Sequence, residues 1–126
     1  MFSCTTPFMM YTLEVIAFTI ESVLLAQQSG AHRIELCNNP ADGGTTAGYG
    51  MIKTAREKTS LLLYPIIRPR GGDFLYSNEE FEIMKRDVLL CKELGCDGVV
   101  IGLLQSDGSV DKTRTAALAE AAYPLG

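Results

Sequence analysis

A chain of 126 residues with 11 Lys and Arg, 15 Asp and Glu and a single His carries a formal net charge of −4. Charged residues at 21% and hydrophobic ones at 47% are globular proportions, which excludes intrinsic disorder as the organising state. The acidic balance supplies no general field for nucleic acid or an anionic membrane surface, and no apolar run nears the ~18 residues of a membrane-crossing helix.

Residues 1–10, Met1 to Met10, are apolar but have no basic segment, so they read as an N-terminal extension rather than a signal peptide. Cys4, Cys37, Cys91 and Cys96 are accordingly expected to be reduced thiols in a cytoplasmic protein. From there strand and helix alternate four times. Leu13–Ala17 is β-rich. Thr19 is placed to cap a helix from about Ile20 to Ser29, with Gly30 where a left-handed C-terminal residue is wanted. Arg33–Cys37 is the second strand, and the turn-rich stretch 38–44 leads to Thr46, the expected cap of a second helix. That helix turns Met51, Ile52 and Ala55 inward, with Lys53, Arg56 and Glu57 pointing away.

Leu61–Ile67 is a nearly continuous apolar run, as in a buried parallel strand, although Pro65 removes one ladder donor. After the loop 68–74, Ser77 and Glu80 form a capping box. Phe81, Met84, Val88 and Cys91 then recur at helical spacing up to Gly95. Asp97–Leu103 is the fourth strand, and Asp111 caps a last Ala-rich helix that stops near Pro124. Strands interleaved with helices indicate parallel βαβ units. Two α/β architectures accommodate them: a flavodoxin-like open sheet, or half of a (β/α)8 barrel of ~250 residues. Glu14, Glu35 and Arg68 favour the barrel, because a charged strand residue flanked by apolar ones needs a shared polar interior.

Strand parity puts Glu35 with Cys37, Glu14 with Ile16, and Arg68 with Ile66 and Tyr64 on that interior. Cys37 and Arg68 lie nearest the C-terminal rim, where barrel active sites sit. Glu14, Glu35 and Arg68 are read either as a buried ion network or as the floor of a polar pocket, with the carboxyls available for acid/base work. Arg68, Arg70, Gly71, Gly72 and Asp73 form a candidate anion cradle: two fork-shaped guanidiniums, with glycine N–H groups free to converge. Asp42-Gly43-Gly44-Thr45-Thr46 is a weaker second rim loop of this kind. Cys37 is the one thiol in a site-like position, able to bind a soft ion such as Cu(I). Cys91 lies on an apolar stripe and reads as core; its spacing to Cys96 matches no zinc or haem pattern.

The chain resembles the CutC family from about Leu13 to Gly126. The likeness rests on Arg33-Ile34-Glu35-Leu36-Cys37, on Gly43-Gly44 with Thr46, and above all on Ile66-Ile67-Arg68-Pro69-Arg70-Gly71-Gly72-Asp73-Phe74 followed by Tyr76-Ser77. The resemblance implies a (β/α)8 barrel, of which residues 11–126 would be the N-terminal half, with about four of the eight units. It also implies a cytoplasmic homo-oligomer, a role in copper homeostasis and copper as the bound ion. Ile16 stands where family members often carry a cysteine beside the one matching Cys37, and the family continues past the position of Gly126, so truncation is expected. The first functional reading is copper homeostasis with Cu(I) held through Cys37. The alternatives are a barrel enzyme of a small anionic metabolite, a carboxylate or phosphate, or an inactive truncated fragment.

Overall fold

The computed structural model describes residues 11–126; the expected N-terminal extension and Cys4 lie outside them. Three parallel strands, β1 (Glu14–Ala17), β2 (Arg33–Leu36) and β3 (Leu62–Pro65), stand in the order β1-β2-β3. Helix α1 (Ile20–Gln28) links the first two, and α2 (Tyr49–Lys58) the second and third. Helices α3 (Asn78–Glu93) and α4 (Lys112–Ala122) follow.

Local chemistry sets most of the boundaries. The Thr19 hydroxyl accepts from the Ser22 N–H at the start of α1, and the Ser77–Glu80 capping box closes reciprocally at the start of α3. Asp111 caps α4 by accepting from the Arg114 N–H. At the end of α3, Gly95 takes φ +83, and the Cys96 N–H donates to the Cys91 carbonyl at 3.0 Å. The Gly95 N–H bonds the Lys92 carbonyl at 3.2 Å, completing a Schellman motif.

Two expectations are corrected. Thr46 does not cap α2, whose N-cap is Gly48; its hydroxyl is already accepting from the Arg68 N–H at 2.8 Å. Arg56 does not point away from the fold: its guanidinium donates to Asp97 and to the carbonyls of Thr59 and Leu61. The fourth strand is also reduced, to a single parallel bridge between Ile66 and Val100. Proline explains this. In β3 the odd-numbered N–H groups face the fourth strand; Leu63 gives its hydrogen to the Asp97 carboxylate, Ile67 bonds the Val100 carbonyl, and Pro65 between them has none to give. Gly126 in turn exchanges bonds with the Asp97 carbonyl and the Val99 N–H, with the spacing of a parallel ladder.

The sheet is covered on one face only. Ala17, Ile34, Leu36, Leu63 and Pro65 turn toward the helices. All but Pro65 belong to one apolar core with Val23 and Ala26, Ile52 and Ala55, Met84, Val88 and Cys91, and Leu118 and Ala122. Each fully buried Leu or Ile there contributes roughly 1.5–3 kcal/mol. The alternate residues, Glu14, Ile16, Arg33, Glu35, Leu62 and Tyr64, line the other face and remain partly or largely exposed. A doubly wound open sheet would bury both faces. This is a βα half-barrel, and its uncovered face is the barrel interior.

Candidate functional site

Strand register arranges the interior side chains in rows. Glu14 pairs with Arg33 and Leu62; Ile16 pairs with Glu35 and Tyr64 one row nearer the rim. Cys37 and then Arg68 follow at the C-terminal ends of β2 and β3.

In the lowest row Arg33 Nε donates to Glu14 Oε2, and its guanidinium stacks 4.5 Å from the centre of the Tyr64 ring. Sequence reading missed Arg33 as a partner, although its parity with Glu35 was the available signal. Among the described residues no cation forms an ion pair with Glu35. Burial, then the Glu14 carboxylate, push its carboxyl above the ordinary range, while a weak contact from the Cys37 thiol opposes them. Cys37 is 2% exposed, and burial followed by the Glu35 charge pushes its thiol up to about 12. Gly44 closes over it: a Cβ there would lie 3.3 Å from Cys37 Sγ, and Gly44 takes φ +103.

The expected meeting of Arg68 with Glu35 does not occur. Arg68 is 7% exposed, and its guanidinium donates to the main-chain carbonyls of Asp42 at 2.6 Å, Gly44 at 2.8 Å and Gly72 at 2.9 Å. It also stacks on Phe74 at 4.9 Å. One buried cation thus ties the 42–44 loop to the 71–74 loop, and no carboxylate among the described residues pairs with it. Its Nε and the hydroxyl of Tyr76 are buried with no hydrogen-bond partner among the described residues.

Arg70 is held differently. It pairs with Glu80 at 2.7 Å and Asp73 at 3.1 Å, donates to the carbonyls of Gly71, Asp73 and Leu75, and lies 5.1 Å from the Tyr76 ring centre. The Arg70 guanidinium, and then the Ser77 backbone bond, hold the Glu80 carboxyl below its usual range. Gly71 is needed for close approach, since a Cβ there would meet Asp42 Cγ at 2.7 Å. Both guanidiniums of the loop are therefore engaged in clasping it, with Arg70 neutralised and Arg68 not.

Among the described residues no three His, Cys, Asp or Glu side chains gather as a metal site, and no helix is long and apolar enough to cross a membrane. The sequence model of the CutC family matches residues 11–126. The chain belongs to the CutC family. A CutC family protein of Chromobacterium violaceum is 52% identical over 113 residues, covering 90% of this chain and 46% of that relative. One of Salmonella newport is 46% identical over 116 residues, 92% of this chain and 47% of the relative. The chain spans about half the length of the curated relatives it matches. The crystal structure of a Streptococcus agalactiae CutC, provisionally named for copper homeostasis, superposes with a TM-score of 0.85 at 35% identity. That match covers 92% of this chain and 57% of that one. CutC is a TIM-barrel fold, in agreement with the half-barrel described above.

Proposed function

We propose that the chain serves copper homeostasis in the manner of the CutC family, with Cu(I) as cargo and Cys37 as one sulfur that meets it. The family match across residues 11–126 carries this reading. Cys37 supports it by position, at the end of β2 on the rim where barrel sites are built. Its environment also limits it. A thiol pushed up to about 12 gives up its proton reluctantly, and among the described residues the neighbouring strand offers it Ile16 rather than a second sulfur. Cytoplasmic location and assembly into a homo-oligomer belong to the same reading. Cu(I) titration against a competing chelator under reducing conditions tests it: Cys37→Ser is expected to weaken binding, and an unchanged affinity would remove Cys37 from the site.

A second reading, an enzyme of a small carboxylate or phosphate, has one specific observation in its favour. Arg68 is a buried cation with no counter-charge among the described residues, at the strand end where a substrate anion would supply one. Gly71, Gly72, Arg70 and Asp73 would shape the cradle around it. Glu35, with its raised carboxyl, would be the acid/base, while Glu14 is held by Arg33. A thermal-shift series with sulfate, phosphate and small carboxylates tests this reading. Stabilisation by anions that survives Arg68→Ala would place the anion elsewhere.

A further inference from the structure

Arg68 donates to main-chain carbonyls twice through Nη1, to Asp42 and Gly44, and once through Nη2, to Gly72. A guanidinium carries five N–H groups, so the one on Nε and one on Nη2 are left over. Nε is buried with no hydrogen-bond partner among the described residues, and so is the hydroxyl of Tyr76. The two residues are 7% and 6% exposed. Phe74 packs against both: its ring centre lies 4.9 Å from the Arg68 guanidinium carbon and 6.5 Å from the Tyr76 ring centre, edge to face. Burial pushes the Tyr76 hydroxyl up, and the Arg68 charge, ahead of Arg70, pulls it back. The charge around the pair is uneven. Arg70 is cancelled by Glu80 and Asp73, and the Asp42 carboxylate lies against Gly71, where an added Cβ would meet its Cγ at 2.7 Å. Arg68 is left as one uncancelled positive charge.

We infer that the unused N–H groups of Arg68 and the hydroxyl of Tyr76 bind a carboxylate monoanion, which makes Tyr76 a ligand-binding residue. The inference rests on the second reading above and chooses between the two anions that reading allows. Charge decides the choice. A carboxylate brings one negative charge to one buried positive charge, whereas a phosphate group brings close to two at neutral pH. The excess would face Asp42, Asp73 and Glu80, which line the same two loops. Shape agrees with charge, because the planar carboxylate takes N–H donors along a guanidinium edge and still accepts from a hydroxyl. Phe74 is 38% exposed on its loop, so a ligand reaches the pair by displacing this ring and then has it as an apolar wall. The substrate class is a small monocarboxylate with an apolar body. Copper binding through Cys37 makes no use of Tyr76.

The test is a thermal-shift titration of the full chain at pH 7 and fixed ionic strength, with acetate and propionate against phosphate and sulfate. Wild type is compared with Tyr76→Phe, which keeps the ring and removes only the hydroxyl. The monocarboxylates are expected to raise the melting temperature saturably in wild type, with an apparent affinity ~10-fold or more weaker in Tyr76→Phe. The ligand-free variant should melt no lower than wild type, because a buried hydroxyl without a partner adds no stability. A second measurement does not depend on the variant's stability: in protein carrying 13Cζ-labelled tyrosine, acetate should move one resonance, the one that Tyr76→Phe lacks. Carboxylate affinity unchanged in Tyr76→Phe, or a Tyr76 resonance that stays put at saturation, would overturn the inference. Stabilisation by phosphate or sulfate without any by the monocarboxylates would overturn it too, while leaving the anion-enzyme reading standing. No stabilisation by any of the four anions would overturn both.

Discussion

Cys37 Sγ lies 3.9 Å from Glu35 Oε1, two positions back along β2 on the same face. The thiol donates and the carboxylate accepts, so the contact helps Cys37 keep its proton, on top of the larger effect of burial. With the thiol pushed up to about 12, native Cys37 is expected to resist iodoacetamide near neutral pH. Mass-spectrometric alkylation rates check this: unfolding should raise the rate by orders of magnitude, and rapid labelling of the folded chain would contradict the buried thiol. Glu35→Gln should lower the thiol's pKa only in part, since burial is the first cause.

Glu35 also gives a pH signature. Its folded carboxyl titrates above its unfolded value, so the folded state holds the proton more tightly. The resulting stabilisation is complete below the unfolded value near 4.3 and is lost as pH rises through the folded one. Relative to wild type, Glu35→Gln is expected to be less perturbed on going from pH 4 to 7, gaining in comparative stability. Melting temperatures of the two proteins across that range measure it. Parallel curves would show that Glu35 is not raised.

Arg68 is a structural clasp whatever it binds. Arg68→Ala leaves three main-chain carbonyls without their donor, the Gly44 bond buried and the other two part-buried, and an unsatisfied buried acceptor costs about 1–3 kcal/mol, not additively. We expect a loss of at least about 3 kcal/mol in chemical denaturation. Arg68→Lys should recover only part, because an ammonium cannot span three acceptors held in a fork. Equal stability of the Lys variant and wild type would mean that the carbonyls are satisfied by water instead.

Much of this was legible in the sequence, for reasons that differ by residue. Period-2 alternation along β2 separates Ile34 and Leu36 from Glu35 and Cys37 without any structure, and the single covered face follows from it. The caps at Thr19, Ser77 and Asp111 depend on neighbours three residues away, so local chemistry suffices. Thr46 was misread because its competing partner, the Arg68 N–H, lies 22 residues downstream. The same holds for Arg68 itself. Charge pairing points to Glu35, while the fold supplies carbonyls from two loops, and carbonyls leave no mark in a sequence.

Gly44 should be intolerant of any side chain for two independent reasons. Its φ of +103 is costly for an L-residue, and an added Cβ would press on Cys37 Cβ and Sγ at 3.3 Å. Gly44→Ala is expected to destabilise by about 1–3 kcal/mol, and also to shift the Arg68 clasp through the Gly44 carbonyl. Gly43→Ala is the control: its Cβ would find only Arg68 Nη1, at 3.8 Å, so it carries the backbone cost alone. Denaturant midpoints with unchanged slopes would separate the two, and equal losses would argue that Gly44 is not packed on the thiol.

The rim can be made a better copper site by one substitution. Ile16 faces the barrel interior, is 55% exposed, and pairs in register with Glu35, one row below Cys37. Because it is not core, Ile16→Cys should cost little stability. It places a second sulfur diagonal to Cys37 on the neighbouring strand, within reach of a shared ion. A second thiolate also changes the proton balance, because the ion's charge can draw a proton from Cys37 that burial otherwise retains. Rim affinity for Cu(I) is expected to rise by at least ~10-fold, or roughly 1.4 kcal/mol. Cys37→Ser should abolish the gain. A rise that persists without Cys37 would mean that the new thiol binds with another partner. No rise at all would mean that the two strand positions cannot share one ion, and would remove the rim from the copper chemistry of this chain.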